Sequence, residues 1–272
     1  MAELRIAAAQ LNSQDDVAKN LAVVAGVVAR AKAEGAECVL LPENFAFMGG
    51  TDEERRHASE ALDGDGPILT TLRRLAREHA VTLVGGGMPE RTADPARPHN
   101  TAVVVAPSGE VVAAYRKIHL FDVDVGDGQT YRESAAVTPG DAPVVVELGG
   151  LRVGLSICYD LRFPELYRRL VADGAVALLV PAAFTLMTGK DHWHTLLRAR
   201  AIEDQCWVVA AAQWGKHPKG RQTYGKSLVV DPWGDVVAQA EEGAPVLVHA
   251  TLRDERVLQV RRALPCLTHR RL

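Results

Sequence analysis

Cysteine is scarce in this sequence, with four residues among 272, and no two of them form a C-x-x-C pair. Cys38, Cys158, Cys206 and Cys266 are far apart, so neither a disulfide framework nor a thiolate metal site is indicated. Free thiols fit a reducing compartment, and we expect the cytoplasm. The N-terminus lacks the basic-then-apolar pattern of a signal peptide.

Long apolar runs and an excess of positive charge are also missing. No stretch reaches the roughly 18 apolar residues that a membrane-spanning helix needs. The net charge is −3, so no global basic field attracts nucleic acid or an anionic membrane, and neither partner is expected. Nine histidines are present, but they form no H-x-x-x-H or Cys/His cluster. We therefore expect no metal and no cofactor.

Strand and helix patterns alternate along the chain without an obvious linker or internal repeat. Short apolar runs and hairpin signals predict about twelve strands, and 3.6-residue periodicity predicts five or six helices. Helices are predicted over 17–34, from Pro67, from Pro164 and over 191–204, and the main strands over 4–11, 38–41, 81–84, 151–157, 175–180 and 206–212. One α+β or α/β domain spanning 1–272 is the interpretation.

Cys158 is the first candidate for chemistry. It lies where an apolar strand ends and a helix is about to begin, a turn that exposes a nucleophile to backbone N–H groups. The alternative is a buried small hydrophobe, as expected for Cys38 and Cys206. The nearby Ser156 begins like a G-x-S-x-G elbow, but the fifth residue is Cys158 and the serine is predicted to lie inside the strand.

Two further candidates end other strands. Glu43 follows the apolar run Cys38–Pro42, and desolvation there would raise the pKa of its carboxyl and suit a general base. Lys117 leaves the second strand of a hairpin, where its ammonium could face a developing oxyanion. The alternatives are a solvated loop carboxylate and a surface lysine. Gly85-Gly86-Gly87 favours a close-packed strand end over a phosphate loop, because no helix start or lysine follows.

Three motifs taken together resemble the nitrilase superfamily of carbon–nitrogen hydrolases, over nearly the whole chain. They are Leu-Leu-Pro-Glu-Asn at 40–44, Tyr-Arg-Lys-Ile-His-Leu-Phe at 115–121 and Cys-Tyr-Asp-Leu-Arg-Phe-Pro-Glu at 158–165. The resemblance implies a four-layer α-β-β-α sandwich of two six-stranded mixed sheets. It also implies a catalytic triad of Glu43, Lys117 and Cys158, with Glu133 holding the lysine.

Further segments resemble the Nit branch of that superfamily, among them 183–189, 196–203, 210–217, 224–227 and 231–234. That likeness implies that Arg162 and Thr188 hold a substrate carboxylate, beside Tyr159 and Phe184. For Arg162, an ion pair with Glu165 is the alternative. The loop at 124–128 differs in detail from the branch.

The resemblance implies an amidase that converts a small carboxamide bearing a carboxylate to an acid and ammonia. Deaminated glutathione is the expected substrate. The alternatives are an ω-amidase acting on 2-oxoglutaramate or 2-oxosuccinamate, a nitrilase, and a catalytically silent binding protein. The family relationship further implies a homodimer or a higher homo-oligomer, with the C-terminal tail, about 253–272, docking on a partner subunit.

Overall fold

A computed structural model describes residues 1–124, 126 and 130–271 of the protein. The strands in these ranges are β1 Glu3–Gln10, β2 Cys38–Leu40, β3 Thr82–Glu90, β4 His99–Val105, β5 Val111–Arg116, β6 Asp122–Asp124, β7 Thr130–Arg132, β8 Val145–Leu148, β9 Leu151–Leu155, β10 Ala177–Leu179, β11 Trp207–Ala210, β12 Trp214–Lys216, β13 Gln222–Tyr224, β14 Leu228–Val230, β15 Val236–Gln239 and β16 Val246–Arg253. The α-helices are α1 Val17–Ala33, α2 Asp52–His57, α3 Pro67–His79, α4 Glu133–Ala136, α5 Pro164–Ala172, α6 Leu186–Asp204 and α7 Asp254–Ala263.

Twelve of these strands form two six-stranded sheets. The first has the order β16-β1-β2-β3-β4-β5, and the second has the order β15-β14-β11-β10-β9-β8. Both are mixed, because β1, β2 and β3 pair in parallel, as do β9, β10 and β11, while the outer strands pair antiparallel. The expected α+β sandwich of two six-stranded mixed sheets is confirmed.

The four layers follow from strands that are apolar on both faces. In β1, Ile6 and Ala8 pack into the core that joins the two sheets, whereas Ala7 and Ala9 pack against α1 and α3 on the outer face. Successive residues of a strand point to opposite faces, so a strand buried on both sides needs a continuous apolar run. The helices α5 and α6 cover the second sheet, where Trp193 of α6 is fully buried.

The helix expected over 191–204 is longer than predicted, because α6 begins at Leu186. The Thr185 hydroxyl accepts a hydrogen bond from the Thr188 N–H at 3.3 Å and caps the helix. Gly189 is required by packing, since a Cβ there would lie 2.2 Å from Cβ of Tyr224. The short helices α2 and α4 were not predicted.

The glycine run 85–87 is closely packed, as predicted, but it lies within β3 rather than at a strand end. A Cβ on Gly86 would lie 2.1 Å from the Leu41 carbonyl oxygen and 2.2 Å from Pro181 Cβ. Pro181 belongs to the connection after β10, so the first sheet approaches the second closely here. Both contacts lie next to the residues considered below as a site.

The first part of the C-terminal segment packs against the rest of its own chain. Val257 and Val260 of α7 are buried, and the Gln205 side chain donates to the Leu264 carbonyl at 2.5 Å. Docking of the tail on a partner subunit stays a prediction. None of the helices in the described part is both long and apolar enough to cross a membrane.

Candidate active site

Glu43, Lys117 and Cys158 come together although they follow strands of two different sheets. Glu43 lies just beyond β2 and Lys117 just beyond β5, both in the first sheet, and Cys158 lies beyond β9 in the second. All three are buried, with exposed fractions of 2%, 2% and 7%. The approach of the sheets therefore assembles these side chains at the floor of one cleft.

Cys158 has a backbone conformation that few residues other than glycine adopt. Its φ is +52°, it is the first residue of a 3₁₀ turn, and its N–H donates to the Pro181 carbonyl at 2.9 Å. Such a left-handed conformation costs about 1–2 kcal/mol, so the surrounding contacts must hold it. Ser156 faces away, donating to the Leu179 carbonyl and accepting from Tyr167, so it is a buried structural hydroxyl.

The ammonium of Lys117 lies between two carboxylates. Its Nζ is 2.9 Å from Oε1 of Glu43 and 2.8 Å from Oε2 of Glu133. The Asn100 amide also donates to Glu43 at 2.9 Å, the Ala183 N–H donates to it at 3.1 Å, and the Phe121 N–H donates to Glu133 at 2.7 Å. A buried ion cluster tolerates its desolvation only when its charges are paired and hydrogen-bonded in this way.

These contacts determine where the protons lie. Burial alone would raise the pKa of Glu43, as the sequence suggested, but that expectation was wrong, because the Lys117 ammonium lowers the pKa of this carboxyl below its usual value. Burial lowers the pKa of Lys117, and the Glu133 and Glu43 carboxylates overcome it and raise that pKa. Burial and the Glu43 charge raise the pKa of the Cys158 thiol well above normal. The resting site therefore pairs a carboxylate with a protonated thiol.

The cleft above these groups has a volume of about 290 Å³ and a basic rim. Five cationic side chains, called here the cationic rim, line it above the buried cluster, against one acidic side chain, Asp52, within the described part of the chain. Such a rim favours an anionic ligand. The cationic rim consists of Arg55, Arg132, Arg162, Lys219 and Arg221.

All four residues that the sequence assigned to substrate binding line this cleft. The Arg162 guanidinium lies 5.3 Å from the Phe184 ring and 6.0 Å from the Tyr159 ring. Both of its terminal nitrogens lie 3.3 Å from Nδ1 of His192, so the alternative partner Glu165 is not the one it contacts. The Thr188 hydroxyl is 2.9 Å from that of Thr185, at the start of α6.

Three positions in or beside the candidate site escaped the sequence reasoning. Asn100 is a buried polar residue that precedes the apolar run Ala102–Val105 in its strand, which was the signal available. Asp160 lies in the motif at 158–165, but no role was predicted for it. Its carboxylate accepts from the Tyr115 hydroxyl at 2.6 Å and from the His119 N–H at 3.0 Å, and so joins the lysine segment to the nucleophile turn. Arg221 follows Pro218-Lys219-Gly220, a sequence typical of an exposed loop.

No group of three or more His, Cys, Asp or Glu residues that could hold a metal ion occurs among residues 1–124, 126 and 130–271. In the loop at 124–128, which differs from the Nit branch, Val125, Asp127 and Gly128 lie outside the described residues.

Comparison with known proteins agrees with this geometry. Residues 5–262 match the carbon-nitrogen hydrolase family. The deaminated glutathione amidase of Synechocystis is 46% identical over 267 residues, covering 97% of each chain. The crystal structure of the Caenorhabditis elegans NitFhit protein superposes with a TM-score of 0.93 at 41% identity, covering 100% of this chain and 66% of that one.

An amidase from Nesterenkonia sp. AN1 is similar at 32% identity with a TM-score of 0.80, covering 96% of this chain and 95% of that one. In that structure the acetamide moiety of fluoroacetamide is covalently attached to the active-site cysteine. The chain described here therefore belongs to the carbon-nitrogen hydrolase family of the nitrilase superfamily, and it is an enzyme that hydrolyses amides.

Proposed function

We propose that this amidase acts on deaminated glutathione, using Cys158 as its nucleophile. One observation carries the proposal: a buried carboxylate–ammonium–thiol cluster and a cationic rim line the same cleft of about 290 Å³. Similarity to a relative of that name over 97% of both chains supports the choice of substrate.

The proposed reaction begins with the thiol and carboxylate of the resting site. Glu43 takes the proton of Cys158, and the thiolate attacks the amide carbonyl, because the neutral thiol is a weak nucleophile. Lys117 and the backbone N–H of Tyr159 stabilise the oxyanion, each such donor contributing roughly 3–4 kcal/mol in comparable sites. Glu43 then protonates the departing amine, and the acyl group remains on Cys158 as a thioester. Water activated by Glu43 releases the acid.

Glu133 has a supporting role in this proposal. It lies 2.8 Å from the Lys117 ammonium, which Glu43 also contacts, and so fixes the position of the cation. Lys117 needs a second carboxylate because Glu43 becomes neutral whenever it holds the proton of the thiol. The ammonium then keeps one charged partner throughout the cycle.

Substrate carboxylate recognition falls to Arg162, with Thr188 beside it. A guanidinium donates two parallel hydrogen bonds to a carboxylate, and here the Tyr159 and Phe184 rings flank it. Deaminated glutathione is a secondary amide, so its amine product is cysteinylglycine, and the ammonia expected from the sequence would arise only from a primary amide. A free Cys158 thiol requires reducing surroundings, which agrees with our proposal of a cytoplasmic enzyme.

The test measures turnover on three substrates by the purified protein. These are deaminated glutathione, followed by cysteinylglycine release, and 2-oxoglutaramate and a simple nitrile, followed by ammonia release. We expect the highest kcat/KM with deaminated glutathione and none with the Cys158→Ala variant. Preference for 2-oxoglutaramate would make the protein an ω-amidase instead, acid formation from the nitrile would make it a nitrilase, and retained turnover by Cys158→Ala would overturn the nucleophile.

A further inference from the structure

The proposed reaction leaves part of the cationic rim without a function. Arg162 suffices for one carboxylate, yet Arg221 lies in the same cleft on the loop between β12 and β13. Like charges gathered in a confined cleft repel one another unless a ligand of opposite charge joins them. The proposed reaction therefore gives the second guanidinium, that of Arg221, no role.

The Arg221 side chain is held in place but incompletely hydrogen-bonded. One terminal nitrogen donates to the Ala183 carbonyl at 3.1 Å, and the guanidinium lies 5.7 Å from the centre of the Tyr131 ring. Its Nε is buried and has no hydrogen-bond partner in the described part of the chain. A buried donor without a partner costs about 1–3 kcal/mol, and with a single hydrogen bond to the described part of the protein the guanidinium keeps donor capacity beside the cleft.

Arg221 lies on the same side of the cleft as Glu43. The residue that holds it, Ala183, also donates its N–H to Glu43 at 3.1 Å. Arg162 is instead anchored by His192 of α6. Since Glu43 must deliver a proton to the departing amine, the amine half of the substrate has to lie on the Glu43 side, next to Arg221.

We propose that Arg221 binds a carboxylate on the leaving-amine half of the substrate, so that the cleft selects amides carrying an acid on both sides of the scissile bond. Arg55 and Lys219, on the same rim, contribute positive charge to this subsite. The inference rests on the proposed function, and it identifies the leaving amine as one that carries a carboxylate. Deaminated glutathione satisfies this requirement, whereas 2-oxoglutaramate carries no acid on its leaving side.

The test pairs one change in the substrate with one change in the enzyme. Deaminated glutathione is compared with its C-terminal carboxamide, which differs only in the charge at the end of the leaving group. We expect the wild type to favour the acid by about tenfold or more in kcat/KM, the value of one charge-assisted hydrogen bond. In Arg221→Gln the ratio of kcat/KM for the acid to that for the carboxamide should fall to about one, because the substrate change and the enzyme change remove the same contact.

Two variants serve as controls. Arg221→Lys keeps the charge without the planar fork and should retain part of the preference. Arg74→Gln changes an exposed arginine on α3 that pairs with Glu78, and it should leave the preference at the wild-type value. An equal preference for the acid in wild type and Arg221→Gln, or no preference in the wild type, would overturn the subsite.

A binding measurement separates this inference from the proposed function. Calorimetry with Cys158→Ala, with and without Arg221→Gln, gives the Kd of the acid and of its carboxamide without turnover. Absence of turnover on every amide by the wild type would contradict the proposed function. A tenfold weaker Kd for the acid alone on changing Arg221 would still support the subsite, and an unchanged Kd would overturn it.

Discussion

Glu43 acquires its protonation state from a residue that is 74 positions away in the sequence. Burial favours the protonated form of this carboxyl, and the Lys117 ammonium is the main group that opposes this effect. With the ammonium at 2.9 Å, the pKa of Glu43 is lowered while the pKa of Cys158 is raised. The two partners of the first proton transfer are therefore ready in opposite states.

The first test at this scale replaces Glu43 by its amide. Glu43→Gln keeps one side-chain oxygen, which can still accept from Asn100, while its NH₂ group replaces the oxygen that accepts from the Ala183 N–H. We expect a folded protein whose kcat falls by about 10²–10⁴ because the general base is lost. Steady-state kinetics and circular dichroism measure the two effects. Glu37→Gln, on an exposed carboxylate paired with Arg5, is the matched control and should keep full activity. Unchanged kcat in Glu43→Gln would exclude its role as base.

A second residue-scale test concerns the buried His217, which lies 2.8 Å from the Ser13 carbonyl oxygen and 2.7 Å from the Thr223 hydroxyl. Burial lowers its pKa from 6.5 to about 4. Between these values the unfolded chain binds more protons, so the stability that neutral His217 contributes is complete above pH 6.5 and is lost as the pH falls toward 4. The loss by pH 5 is about 2 kcal/mol.

Urea unfolding at pH 7.5 and pH 5 measures this contribution in the wild type and in His217→Gln. We expect the variant to lose about 2 kcal/mol less than the wild type on acidification. Asp204, whose pKa is raised to about 7 by burial despite Arg168, changes stability with the opposite sign, but it is common to both proteins and cancels in the difference. Identical pH dependence of the two proteins would contradict the assignment.

At the scale of elements, the site depends on how closely the two sheets approach. Gly86 of β3 leaves no room for a methyl group between the Leu41 carbonyl and Pro181. Leu41 lies two residues before Glu43, and the Pro181 carbonyl accepts the hydrogen bond from the Cys158 N–H. The spacing of the strands therefore sets the distance between base and nucleophile.

Gly86→Ala tests this dependence. We expect a loss of about 1–3 kcal/mol in the free energy of unfolding, because the clash is with backbone and a rigid ring, together with a lower kcat. Urea midpoints and kinetics report the two effects. Gly26→Ala, in α1 where a Cβ meets nothing within 4 Å, should instead stabilise by about 1 kcal/mol. Equal behaviour of the two variants would contradict the packing argument.

On the scale of the whole molecule, the C-terminal segment divides into two parts. The helix α7 is fixed to its own chain through Val257 and Val260, whereas the stretch after Leu264 is largely exposed, and Leu264 itself is 49% exposed. Arg261 adds hydrogen bonds to the Gln205 and Ala175 carbonyls. The exposed stretch is the part that remains for contact with a second copy, and we propose that the chain forms a homodimer or a larger homo-oligomer.

Truncation separates the two parts. Removal of 265–272 should leave the chain folded but reduce its oligomeric mass, because the stretch proposed to contact a second copy is lost. Removal from Asp254 onward should destabilise the fold, since two buried valines go with it. Light scattering after gel filtration and thermal unfolding measure both. The same mass with and without 265–272 would contradict a role for the tail in assembly.

Local sequence determined much of this protein. Continuous apolar runs specify the strands that are buried on both faces, and the strand-to-turn position of Cys158 indicated a candidate nucleophile, although the structure places this thiol buried rather than exposed. Tertiary structure alone decided the rest. The lowered pKa of Glu43 and the place of Arg221 depend on segments that are distant in the chain, and charge–charge energy follows distance in space, which no local pattern records.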